Sequence, residues 1–419
     1  MGPLDGLRVV DFARVLAGPH CGKMLLDLGA DVIKIEPPSG DMSRMAYPRR
    51  GEISGYYAQQ NAGKRNLSID LKVPGAREVV LRLCDTADVI VENFRPGTLA
   101  TFGLDYPTVS ARNPRVVYAS MSGYGQRSVW SSRMAYAPTV QAETGFTQNT
   151  ANQFGGEGTT GDGRLRSDSL SHADVYTGMH GVIAVLAALA ERERTGAGQH
   201  VDVAMAAVMT YVNERVHYDL SDDDLGAERP ILGATDCPFF LSPEGKTFVS
   251  PFSLVGSLTF PFYCAAMRRP DLLDDPRFRT PASRLANRDA LHQIIQTWIY
   301  TFADMASLDA QFDEAKIATG QLRDIRDFAA SDFALEWGVT RAVPDRDGGT
   351  MTIPGSPWHF GGTKGEDEPG PAEPVQVPAR QGEHNEEILA ELGFDAAQVR
   401  DLTASGALVQ PSRGMSFGA

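Results

Sequence analysis

The apolar positions of the first 125 residues fall into two alternating rhythms. Short β-branched runs, LRVVDF (7–12), ADVIKIE (30–36), ADVIVENF (87–94) and RVVYASMSG (115–123), are separated by stretches with helical spacing such as HCGKMLLDLG (20–29) and GAREVVLRLCDT (75–86). This alternation predicts an α/β fold made of βαβ units on a parallel sheet. Ligands of such sheets bind beyond the carboxyl ends of the strands, which directs attention to ARVLAGPHCG, PPSGD, RPGTLATFG and YGQRS, the segments after the four runs. All four carry Gly or Pro, as turns do. None forms GxGxxG or GxxxxGKS/T, so neither a nicotinamide nor an ATP site is indicated.

Further along, residues 127–170 are rich in Gly, Ser, Thr and Asn and weakly periodic, which predicts a long loop layer. An apolar helix, VYTGMHGVIAVLAALAERE, comes next, with Gly196 and Gly198 as stop signals and HVDVAMAAVM after it. The acidic stretch YDLSDDDLGAERP (218–230) reads as a linker. A second unit then runs from about 231 to 330, with a hairpin at Pro243-Glu244-Gly245 and helical text such as RLANRDALHQIIQTWIYTF. Past 335 come strand-like text (GGTMTIPGSPWHF), a Pro/Glu/Gly-rich loop (363–382) and a last amphipathic helix, NEEILAELG. No internal repeat is present.

Composition narrows the classes of function. The 419 residues are 42% hydrophobic, enough for a large core. The 39 basic and 53 acidic residues leave a formal charge of −14, which repels nucleic acid and anionic membranes, so an anionic ligand needs a local basic site. Cys21, Cys84, Cys237 and Cys264 form no CxxC pair, which points away from zinc or a disulfide framework and toward a reducing cytoplasm. No leader and no run of apolar residues long enough for a membrane span is read from the chain.

One carboxylate, Asp174, stands where the apolar helix begins. Asp is a favoured N-cap, and the helix dipole suits a carboxylate there. The helix is apolar on most faces, so its start lies inside the protein, and a carboxylate held by backbone N–H groups can still face a ligand. Capping and catalysis both remain open. Lys64, Arg65 and Lys72 in GKRNLSIDLK form either a solvated face or a phosphate site. Asn93-Phe94-Arg95-Pro96-Gly97, at the carboxyl end of the third run, is either a plain turn or a nucleotide site with ring, amide and guanidinium. His172 and His180 flank Asp174 at offsets that do not share its face, the histidines have no metal-binding spacing, and GxSxG is absent.

Taken together, LDGLRVVDFARVLAGPHCGKMLLDLGADVIKIEPPSGD, NAGKRNLSIDLK, ADVIVENFRPGTLATFGL, NPRVVYASMSGYGQ, ADVYTGMH with AALAERERTGAGQHVDV, and GEHNEEILAELGF resemble the class III coenzyme A transferases of the CaiB/BaiF type, which include formyl-CoA and carnitine-CoA transferases. The six segments lie in the family's order over almost the whole chain. The resemblance implies a large Rossmann-like domain built from residues 1–225 and 335–419, a smaller α+β domain at 226–334, and an interlocked homodimer. It makes Asp174 the catalytic aspartate, which would pass through aspartyl-acyl anhydride and aspartyl-CoA intermediates. It assigns CoA to Leu16, Ala17, Lys72, Asn93, Phe94, Arg95, Ala135, Tyr136 and Ala137.

This chain departs from the family pattern in four places. Met134 stands where the family often has a basic residue, leaving Arg133 as the neighbouring candidate, and Pro37 stands where it often has Arg. The glycine run of formyl-CoA transferases is reduced to Gly233 in ILGATDCPFFL, which argues against formate and oxalate as substrates. Related α-methylacyl-CoA racemases need a histidine where this chain has Tyr136 and a glutamate that SPFSLVGSLTF lacks. The resulting expectation is a CoA transferase with an acyl-CoA donor, a carboxylic acid acceptor and no permanently bound cofactor or metal. A racemase or epimerase, a thioesterase and a non-catalytic CoA-binding protein remain as alternatives.

Overall fold

In the computed structural model the described residues are 2–153, 170–214, 216–221, 237–361 and 376–409. They divide into two compact units, one holding the described residues of 2–152, 170–214 and 333–409, the other those of 216–332.

The first unit carries strands β1 (Arg8–Asp11), β2 (Asp31–Glu36), β3 (Arg49–Arg50), β4 (Ile53–Ser54), β5 (Arg65–Ser68), β6 (Val89–Glu92), β7 (Val117–Ser122) and β8 (His200–Ala204). Its helices are α1 (Ala17–Asp27), α2 (Gly55–Asn61), α3 (Ala76–Asp85), α4 (Tyr106–Arg112), α5 (Ala137–Glu143), α6 (Phe146–Gln153), α7 (His172–Thr195) and α8 (Met205–Tyr211). Six strands form one sheet in the order β5-β2-β1-β6-β7-β8, and every pairing is parallel. The mixed α/β class with a parallel sheet is as expected.

Successive strand residues enter opposite cores, which explains why apolar residues stand at consecutive positions. Val9, Val32, Val89, Val117 and Met121 pack under α1 and α7. Val10, Ile33, Leu67, Ile90 and Tyr118 pack under α3 with Ile388 and Leu389 of the C-terminal segment. That segment also covers the sheet edge. The Asn66 N–H donates to His384 Nδ1 at 3.1 Å and the Ser68 N–H to Asn385 Oδ1 at 2.9 Å, so β5 offers no free ladder there.

The strand order reverses between β1 and β6. From β1 the chain winds outward through β2 to β5, then returns to β6 and winds the other way, which opens a crevice between the loops after β1 and β6.

Two expectations need correction. The 127–170 stretch is not all loop, since α5 and α6 occupy part of it: Pro138 sits in the first turn of α5 and Thr139 Oγ1 accepts the Tyr136 N–H at 3.0 Å. Helix α7 does have the length and hydropathy of a membrane span, with a window averaging 1.5. Its buried side, including Gly178, Gly181, Val182 and Val185, packs within the first unit.

In the second unit, Phe239–Leu241, Thr247–Val249 and Gly320–Gln321 form an antiparallel sheet, and the expected hairpin turns at Gly245 with φ of 78°. Phe240, Phe248, Phe260, Tyr263, Ile295 and Phe312 fill its core. Gly233 and most of the acidic linker lie outside the described residues, as does 363–375 of the Pro/Glu/Gly-rich loop.

Candidate active site

The crevice is built on the turn between β1 and α1. Several backbone groups of this turn meet side chains from elsewhere in the fold. Lys34 Nζ donates to the Ala13 carbonyl at 2.7 Å, and the Asn93 amide bonds both the N–H and the carbonyl of Arg14 at 2.8 Å. The Val15 N–H reaches both Asp41 carboxylate oxygens at 3.2 and 3.3 Å. Val15 has φ of 67°, a left-handed conformation that a β-branched residue adopts only when its surroundings impose it.

Lys64 anchors the next step. It is neither solvated nor free for phosphate: Nζ, fully buried, pairs with Asp11 at 2.8 Å and donates to the Pro19 carbonyl and Asn61 Oδ1. It ties β1 to the first turn of α1. Arg65 is likewise structural, bridging Asp31, Glu387 and Glu391.

Helix α1 then lies directly on α7. A Cβ at Gly178 would sit 2.7 Å from the Ala17 carbonyl oxygen and 3.1 Å from His20 Cβ, and one at Gly181 would sit 2.8 Å from Met121 Sδ. Only glycine permits this approach. The Ala17 N–H, at the positive end of α1, faces the Asp174 carboxylate and favours its charged form.

Asp174 does not cap its own helix. Helix α7 begins at His172 with Ser171 as N-cap, which makes Asp174 the third helical residue and turns its carboxylate toward α1. Burial pushes its pKa up to about 6, and the Ala17 N–H opposes the rise. Tyr56, on α2, is raised to about 12 by burial and by the charges of Asp174 and Asp41.

Leu16 and Ala17 open α1, with Ala17 facing Asp174, and Asn93 is tied to the same turn through Arg14. Leu16 is the buried N-cap of α1, and Asn93 and Phe94 are half-buried at the end of β6. Arg95 is exposed and donates to the Ser132 carbonyl, joining the β6 loop to the segment holding Arg133, Ala135, Tyr136 and Ala137. Arg133 is engaged with Glu143 and lies over the Trp130 ring at 4.7 Å. Ala137 is the buried start of α5, and Tyr136 is 56% exposed. Lys72 is exposed, its N–H bonded to Asp70, and it is not drawn into this group. The Pro37 carbonyl accepts from Gln381 Nε2 at 2.8 Å.

Three residues here escape sequence reasoning. Tyr56 and Gly178 carry no local signal. Asp41 lies in PPSGD, but nothing in that turn reveals its grip on Val15. Beside the crevice, Glu92, Arg95, Tyr106, Ser120 and His200 line a cavity of about 240 Å³. Burial raises Glu92 to about 7, and its carboxylate accepts the Phe94 N–H at 2.8 Å. Among the described residues, no cluster of three or more His, Cys, Asp or Glu could hold a metal ion.

Residues 4–375 match CoA-transferase family III. The chain belongs to this family. It is an enzyme that transfers CoA, as its family III relatives are. It is 33% identical to succinate–glutarate CoA-transferase of Agrobacterium fabrum over 405 residues, covering 93% of this chain and 96% of the relative. It is 30% identical to formyl-CoA:oxalate CoA-transferase of Streptomyces coelicolor, covering 97% and 99%. Among solved structures, a CaiB/BaiF family protein from Brucella suis superposes with a TM-score of 0.72 at 30% identity, covering 93% of this chain and 99% of that one. Family III transferases act on CoA thioesters, so the non-catalytic CoA-binding alternative falls away.

Proposed function

We propose that this enzyme moves CoA from an acyl-CoA thioester to a carboxylic acid, with Asp174 as nucleophile. The observation that carries the reading is the Asp174 carboxylate itself, partly buried near the start of α7 and facing the Ala17 N–H at the start of α1. An Asp174 oxygen attacks the thioester carbonyl; the new C–O bond forms, the C–S bond breaks, and CoA leaves as thiolate. The thiolate attacks the aspartyl carbonyl of the anhydride, giving aspartyl-CoA and releasing the first acid as carboxylate. The acceptor carboxylate repeats the sequence in reverse. Each step exchanges one anion for another, so no proton needs a general acid or base.

The Ala17 N–H supports the same chemistry by orienting the attacking oxygen and meeting negative charge as it develops. Leu16, Asn93, Phe94 and Arg95 would hold CoA along the crevice. Arg133 would serve only by leaving Glu143, and Ala135, Tyr136 and Ala137 complete the proposed contacts. The names of the relatives, with succinate, glutarate and mesaconate among them, make short dicarboxylic acids the first acceptors to try. The exposed Met179, Ile183 and Leu186, at helical spacing on α7, support a second copy of the chain as partner. We place this homodimer in the cytoplasm and take the two units as the large and small domains.

Donor and acceptor kinetics test the reading. Varying succinyl-CoA against each dicarboxylate should give the parallel double-reciprocal lines of double displacement, with kcat/KM falling about tenfold per pH unit below pH 6 and level above it as Asp174 ionises. Release of CoA independent of any acceptor would make it a thioesterase, and deuterium washing into the α-carbon without acceptor would make it a racemase.

A further inference from the structure

The turn before α1 holds a device that the transfer chemistry does not use directly. Asp41 is fully buried. It pairs with Lys34 at 2.9 Å, accepts the N–H and hydroxyl of Ser43 at 2.9 Å, and its own N–H donates to Glu36 Oε2 at 3.0 Å. Its remaining capacity goes to one backbone group, the N–H of Val15. Lys34, the partner charge, spends its other bond on the Ala13 carbonyl. The pair thus grips the turn on both sides of Arg14 and holds Val15 at φ of 67°.

That angle fixes the direction of the next two peptides. Left free, a valine would relax to negative φ, swinging the Leu16 and Ala17 amides to new directions. Asp41 makes the strained form the stable one, because abandoning it would cost the buried carboxylate the bond from the Val15 N–H and leave that N–H without its acceptor. Two residues further on, Ala17 packs against α7, its carbonyl oxygen 2.7 Å from where a Cβ on Gly178 would stand, and its N–H faces Asp174.

We propose that Asp41, backed by Lys34, is a positioning residue that locks Val15 in the left-handed conformation and so aims the Ala17 N–H at Asp174. The inference rests on the reading of Asp174 as nucleophile. Asp41 itself touches no reacting atom.

Asp41→Asn should lower kcat at least about tenfold while the acyl-CoA KM changes less than about twofold. Two further readouts separate aiming from bulk electrostatics. Loss of the Ala17 N–H raises the Asp174 pKa, so the acid limb of the kcat/KM profile should move up in the variant. Simple removal of the Asp41 charge near Asp174 would move it down. Glycine adopts positive φ without help, so adding Val15→Gly to Asp41→Asn should recover most of the lost kcat.

If Asp41→Asn alone leaves Lys34 unpaired and the chain unfolded, Lys34→Met with Asp41→Asn removes both charges and takes its place. Full kcat in the folded variant, a downward shift of the acid limb, or no recovery with Val15→Gly would each overturn the positioning role. Asp174→Asn is run beside it. An active Asp174→Asn enzyme defeats the nucleophile reading, whereas an inactive one with a fully active Asp41 variant defeats only the positioning role.

Discussion

Replacing Asp174 by asparagine should cut CoA exchange by about a thousandfold or more, because the step that forms the anhydride has no substitute nucleophile. The same substitution should stabilise the fold at neutral pH. The folded carboxyl has a pKa of about 6 against an ordinary 3.8, so the fold favours the protonated form. Below pH 3.8 both folded and unfolded chains carry the proton and the group contributes nothing. Between 3.8 and 6 the unfolded chain loses its proton first and a penalty on folding grows; above 6 the penalty is constant, at most about 3 kcal/mol. Asparagine removes the charge and keeps an oxygen for the Ala17 N–H. Thermal unfolding should therefore show a higher Tm for the variant at about pH 7.5 and a shrinking gain toward about pH 4. An unchanged or lower Tm at the higher pH would mean that Asp174 is not held in a dehydrated site.

Gly178→Val should damage both stability and catalysis. In an ordinary helix interior glycine is the weaker choice, by about 1 kcal/mol against alanine, so its presence here needs a cause in packing. The cause is the Ala17 carbonyl, 2.7 Å from where a Cβ would stand. The obstacle is backbone, not the end of a flexible side chain, so α1 must move off α7. Overpacking of this kind costs about 1–3 kcal/mol, and the displaced Ala17 N–H should lower kcat by about a hundredfold. A denaturant midpoint and a kcat measured on the same preparation check both. A variant with full activity would show that contact between α1 and α7 does not set the geometry at Asp174.

How much of the molecule is legible in the chain depends on the range of the forces involved. The parallel sheet is legible because strands buried on both faces are rich in β-branched apolar residues at consecutive positions, as in VVD and VIKIE. The crevice is legible because the turns after such strands are its walls. Asp174 stands out as a lone carboxylate at the start of an apolar helix, but the N–H it faces is not on that helix. The N–H comes from Ala17 on α1, far back in the chain, a contact that local propensity does not encode. Lys64 looks like surface charge because its partner, Asp11, lies on another strand. Val15 is hidden for a different reason: β-branched residues are the last to suggest positive φ, and only the buried Asp41 makes that angle stable. The helices at 137–153 escape notice because their composition is polar and weakly periodic.

The covalent role of Asp174 is the claim on which the rest depends. Enzyme mixed with succinyl-CoA and quenched in hydroxylamine, then digested and examined by mass spectrometry, should carry a hydroxamate on the Asp174 carboxyl, formed only when the acyl-CoA is present. Full exchange activity with no hydroxamate at Asp174, or with the label on another residue, would contradict it.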